Sequence, residues 1–134
     1  MRYSGGMQKA QWLWGALILA AACGCATNRI TNLTPSQLPR SPNGLYTFEA
    51  RWDSNQRSLR KRTLKGYVVI RTNFYPMHKI PRTLNRWEAV VPIPETNRFV
   101  NYRYKFEYLY NSIPIPRPDS KLSPSYQLQI IDRQ

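Results

Sequence analysis

The chain has 134 residues, with 20 Lys+Arg against 7 Asp+Glu and a formal net charge of +13. That length allows one domain, because a single core takes roughly 100 to 200 residues. With 42% hydrophobic, 13% aromatic and 20% charged residues it is too apolar for a disordered basic tail. Its 11 prolines, and the lack of long Ala, Leu, Glu or Lys runs beyond the first 30 positions, exclude a helical bundle. A folded, basic β domain remains.

In chain order, the first element is a targeting segment. Arg2 and Lys9 make Met1 to Gln11 positive, and Met7 offers a second start. An uncharged run follows from Trp12 to Ala22, ending at Cys23-Gly24-Cys25. A membrane span needs about 20 apolar residues, so this shorter run reads as the core of a signal peptide. Small residues before a cysteine at the end of an apolar run resemble the lipobox of bacterial lipoproteins. The resemblance implies a signal peptide over 1–24 and a diacylglyceryl group on the Cys25 thiol, with Cys23 as the alternative. Ala26 (Gly24 in the alternative register) is not the Asp that favours inner-membrane retention in that family. The implied address is therefore the cell envelope, and the outer membrane where a cell has two. Both cysteines lie in this region, so the remaining chain has no disulfide, and two cysteines one residue apart do not make a zinc site.

From Cys25 onward there are 110 residues, 18 basic and 7 acidic, which leaves a net charge of +11. Residues 25–43 read as a lipid-anchored, Pro-rich tether, since Ile30 to Pro42 holds three prolines and no sustained period. A short first strand near Leu38 is the alternative. From Gly44 the period becomes two, as in strands with one buried face. Tyr46, Phe48, Ala50 and Trp52 alternate with Thr47, Glu49 and Arg51. Leu64 to Arg71, apolar on both faces at Tyr67 to Ile70, reads as a more central strand. Trp87, Ala89, Val91 and Ile93 form a third row, closed by Pro92 and Pro94. Phe99 to Asn111 carries the clearest pattern, with Val100, Tyr102, Tyr104, Phe106, Tyr108 and Tyr110 on one face. Tyr126 to Ile130 alternates again after a Pro-rich connection, and Phe74 to Met77 is a weaker candidate. The expectation is an all-β, antiparallel sandwich of about seven strands over 44–134.

The succession Gly66-Tyr-Val-Val-Ile70, Asn73-Phe-Tyr-Pro-Met77, Arg86-Trp-Glu-Ala-Val-Val-Pro-Ile-Pro94 and Val100-Asn-Tyr-Arg-Tyr-Lys-Phe106 resembles the early-set immunoglobulin-like sandwiches, which include glycogen-binding modules. The similarity covers about 40 residues. The Asp-Gly turn and tryptophan that serve sugar binding in those modules have no counterpart after Phe106, so the resemblance implies the fold and not the ligand. A lipobox followed by Thr27-Asn-Arg-Ile-Thr-Asn-Leu-Thr-Pro35 and a short β domain is also similar to small uncharacterised bacterial lipoproteins.

Three groups of residues are candidates for function. Arg57, Arg60, Lys61, Arg62 and Lys65 put five cations in nine positions with no acid, a cluster suited to phosphates or acidic polysaccharide. Export directs it to an anionic envelope polymer, lipid headgroups or a protein partner, and away from nucleic acid. Trp87, Tyr108 and Tyr110 are candidates for stacking on glycans, with Tyr108 and Tyr110 expected to be exposed. His78 is the sole histidine and so the one candidate base. The acids are dispersed, no nucleophile motif or Gly-rich phosphate loop is present, and no metal or cofactor site is apparent. A non-catalytic protein without a cofactor is expected.

Overall fold

The structure is a computed structural model, and it describes residues 26–132. The proposed signal peptide, Cys23 and Cys25 lie outside the described residues. Ten strands follow in order: β1 (Asn28–Asn32), β2 (Gln37–Pro39), β3 (Leu45–Ser54), β4 (Lys65–Ile70), β5 (Asn73–Pro76), β6 (His78–Lys79), β7 (Arg86–Pro92), β8 (Phe99–Tyr110), β9 (Arg117–Leu122) and β10 (Tyr126–Ile131). One sheet has the order β1-β3-β7-β6. The other has the order β2-β10-β8-β4-β5, with β9 also paired to β8. All pairings are antiparallel except that of β10 with β2.

The alternating rows of the sequence are the facing surfaces of these sheets. Tyr46, Phe48, Ala50 and Trp52 of β3 are buried, as are Ala89 and Val91 of β7 and the row from Val100 to Tyr108 of β8. Their rings interlock across the sandwich. Phe48 meets Tyr102 edge-on at 4.8 Å, Trp52 stacks on Phe106 at 5.0 Å, and Trp87 meets Phe106 edge-on at 5.6 Å. Rings at such separations prefer these offset and T-shaped arrangements. Because Phe48 faces Tyr102 and Trp52 faces Phe106, β3 and β8 run in the same direction and finish at the same end of the sandwich.

The Pro-rich segment expected as a tether is built into the fold. β1 pairs with β3 from Asn28↔Ser54 to Asn32↔Ala50, and β2 pairs with β10. Ile30 and Leu38 pack on the core, and Thr34 is buried. The segment shows no period because the two strands are short edges and polar side chains supply much of their hold. Glu49 N–H donates to Thr34 Oγ1 (2.9 Å), which lies 2.7 Å from the Tyr104 hydroxyl. That hydroxyl also reaches Asn32 Oδ1 (2.8 Å), while Asn32 Nδ2 donates to the Tyr102 hydroxyl (2.9 Å). Among the described residues no buried side-chain polar atom is left without a partner, the condition under which polar groups can sit in a core.

β9 and β10 lie end to end along one edge of β8, at Lys105 to Tyr110 and at Phe99 to Tyr102 respectively. At the joint Ser123 takes over the ladder: its N–H donates to the Tyr104 carbonyl (2.9 Å) and its Oγ accepts from Tyr104 N–H (2.8 Å). The alternative strand near Leu38 is present as β2, and with β1, β6 and β9 also added the sandwich has more strands than the expected seven or so, the additions all short or exposed.

Candidate functional site

The five cations of 57–65 lie in the connection from β3 to β4, whose middle is a single 3-10 turn, Lys61–Thr63. The connection is fastened to the end of β8. Leu59 bridges to Tyr110, Arg60 N–H donates to the Leu109 carbonyl (2.8 Å), and Leu109 N–H donates to Thr63 Oγ1 (2.9 Å). Leu59 is buried as the plug of this loop, which turns its neighbours outward. Arg57, Arg60, Lys61, Arg62 and Lys65 are all exposed, and none pairs with a carboxylate among the described residues. Arg60 Nε donates to Asn111 Oδ1 (2.7 Å), a neutral partner that orients the guanidinium without cancelling its charge. Four cations elsewhere are paired, Arg40 with Asp132, Arg51 with Asp53, Arg86 with Glu49 and Lys105 with Glu107, while others such as Arg82, Arg103 and Arg117 have no carboxylate partner among the described residues. The Arg40 guanidinium hydrogen-bonds the Asp132 carboxylate and holds its pKa below the ordinary value.

The aromatic candidates divide differently from expectation. Tyr108 is 4% exposed, with its ring 5.7 Å from that of Trp52 and its hydroxyl accepting from Asn28 Nδ2 (2.7 Å). Tyr110 and Trp87 are half-buried and packed on the core. Tyr108 therefore cannot stack on a ligand, because its parity on β8 is that of the core row. Rings that do reach solvent have the opposite parity. Tyr67 of β4 and Phe74 of β5 meet edge-on at 6.2 Å on the outer face of the second sheet, Phe74 is 52% exposed, and Lys105 Nζ lies 5.7 Å from the centre of its ring. A cleft of about 650 Å3 runs beside them, with Val69, Phe74, Phe99, Arg103, Lys105 and Leu122 in its wall. The residues of β8 that line this face, Asn101, Arg103 and Lys105, alternate with its core row.

His78 is exposed on β6, and Glu88 of β7 lies opposite it, with Nε2 3.4 Å from Oε1. It thus has an acidic neighbour, but among the described residues no serine or threonine is hydrogen-bonded to it. Among the described residues no three His, Cys, Asp or Glu side chains gather as a metal site requires, and no helix is long and apolar enough to cross a membrane. No protein-family model matches the chain, and no curated protein matches it in sequence.

Proposed function

We propose that the protein is a non-catalytic module of the cell envelope, anchored by lipid on Cys25 (Cys23 in the alternative register), that offers a basic surface to an anionic envelope component. The observation that carries this reading is the exposed cluster Arg57, Arg60, Lys61, Arg62 and Lys65, five cations within nine positions that have no carboxylate partner among the described residues. Unpaired, solvated cations on a rigid loop attract polyanions at long range and release them as salt screens the field. The lipobox resemblance and the absence of cysteine beyond position 25 support the envelope address. An immunoglobulin-like strand order is part of the same proposal.

Binding of the protein to isolated envelope material, measured across a salt series, tests it. Retention is expected at low salt and loss at high salt. A variant with Arg57, Arg60, Arg62 and Lys65 replaced by Ser is expected to bind weakly at both. Salt-independent binding equal in the two proteins would contradict the reading.

A second reading, a surface carbohydrate-binding module, is favoured by one observation: the outer-face cleft with the exposed Phe74 ring and Lys105 over it. Its platform would be Phe74 and Tyr67, with Trp87 and Tyr110 half-buried and Tyr108 enclosed. Retention of a neutral glucan at high salt, lost in Phe74→Ala, would establish that reading over the first.

A further inference from the structure

One end of the sandwich combines three properties. The first is charge. β3 and β8 both finish there, so it carries the β3–β4 connection and the β8–β9 loop, and β7 begins there because Arg86 pairs with Arg51. The segments forming it, 54–64, 80–85 and 109–118, contain Arg57, Arg60, Lys61, Arg62, Arg82 and Arg117 and no Asp or Glu. All six cations are exposed.

The second property is apolar exposure. The three most exposed large apolar side chains described are Ile113 (92%), Leu84 (78%) and Ile115 (66%), and all three lie in loops of this end. Ile113 and Ile115 sit in Ile113-Pro-Ile-Pro116, which is held beside the basic loop by Asn111 N–H donating to the Ser58 carbonyl (2.7 Å). Leu84 sits in the loop before β7, where Trp52 N–H donates to the Asn85 carbonyl (2.9 Å). Single exposed apolar residues are ordinary. Concentration of the most exposed ones at one end, among unpaired cations, is not.

The third property is chain entry. Thr27 N–H donates to Asn55 Oδ1 (2.6 Å), and Asn55 N–H donates to the Thr27 carbonyl (3.1 Å), so the chain enters the fold at this same end. Only Ala26 and Thr27 separate Cys25 from β1, a reach of about 10 Å at most.

We infer that this end docks on an anionic lipid bilayer, with Ile113, Ile115 and Leu84 entering the boundary between headgroups and acyl chains and the six cations engaging lipid phosphates. The inference rests on the envelope reading above and names the anionic component that the basic cluster meets. Acidic polysaccharide would satisfy the cations but leave the isoleucines in water. A bilayer surface satisfies both, with negative charge outside and hydrocarbon a few ångströms further in. A diacylglyceryl anchor would hold the chain at the bilayer, and a basic, apolar-tipped surface beside it would fix which end of the domain faces the lipid.

The test uses the full protein as extracted from membranes, mixed with vesicles of phosphatidylcholine alone or of phosphatidylcholine with an equal amount of phosphatidylglycerol. Flotation reads the anchor, and amide hydrogen exchange reads the docking. The expected result is flotation with both vesicles. The amides of Ser112, Ile113, Ile115 and Leu84 should exchange about tenfold more slowly only where phosphatidylglycerol is present. A variant carrying Ile113→Ser, Ile115→Ser and Leu84→Ser should float as before, keep its urea midpoint and lose the slowing. Flotation with no slowing on either vesicle would overturn the docking and leave the anchor standing. Equal slowing on both would overturn the part given to the cations. Flotation with phosphatidylglycerol alone, with the loops slowed, would support the docking and overturn the anchor.

Discussion

At Tyr104 the two sheets are joined through side chains. Its hydroxyl lies on β8, yet its partners are Thr34, Asn32 and the Glu49 carbonyl, all from the β1–β3 side. Removing it in Tyr104→Phe leaves Thr34 Oγ1 with Glu49 and Asn32 with Tyr102 and its own turn, so a loss of about 1–2 kcal/mol is expected. The urea midpoint should fall by that loss divided by the slope, with the slope unchanged. Burial, the largest cause for each, also raises the Tyr102 hydroxyl above the ordinary tyrosine value and the Tyr104 hydroxyl well above it. A raised native value means that the unfolded chain ionises first. This contribution is complete below about pH 10 and is lost as pH rises beyond it. Urea midpoints at increasing alkaline pH should therefore decline, and less steeply in Tyr104→Phe. An identical decline in the two proteins would mean that Tyr104 ionises as readily folded as unfolded.

Among the elements, β4 pairs with β8 in the same sheet, with Gly66 opposite Phe106. A Cβ there would lie 2.7 Å from Phe106 Cε1, and that ring cannot retreat because Trp52 stacks on it and Trp87 closes its edge. Gly66→Ala is expected to cost about 1–3 kcal/mol, as overpacking of a filled core does, read by the same urea titration. A stability equal to that of the parent would show that the aromatic cluster has slack. The long strands β3 and β8 were legible in the sequence because each buries one parity of residues over four or more positions, so the period is unmistakable. β1 and β9 were not, and β2 was legible only as the alternative strand near Leu38. β1 has one apolar side chain, Ile30, and is recruited by its ladder with β3 and the Asn32–Thr34 network. All six residues of β9 are exposed, leaving backbone pairing and the Tyr108 hydroxyl donating to Asp119 Oδ2 (3.3 Å), neither of which has a compositional signature. The candidate site was half legible. A run of cations announces itself in any conformation, but the exposure of Phe74 and the enclosure of Tyr108 depend on which parity of each strand faces inward.

For the molecule as a whole, the incorporation of β1 and β2 moves the start of the folding unit from residue 44 to about residue 26. A chain trimmed to 44–134 would lose the partners of the Tyr102 and Tyr104 hydroxyls and the cover given by Ile30 and Leu38. It is expected to lack a cooperative urea transition, whereas a chain of 26–134 should retain one; cooperative unfolding of the shorter piece would contradict the structural role assigned to β1 and β2. The same geometry brings the domain to within about three residues of Cys25, so an acyl group there would hold the basic end against the bilayer with no spacer between. The envelope reading and the docking inference both turn on that chemistry. Intact mass of the protein extracted from membranes in detergent, with mapping of its N-terminal fragment, measures it directly. The account expects a chain beginning at Cys25, or at Cys23, and carrying the added mass of acyl groups. An unacylated chain, whether cut upstream or left whole with free thiols, would contradict it.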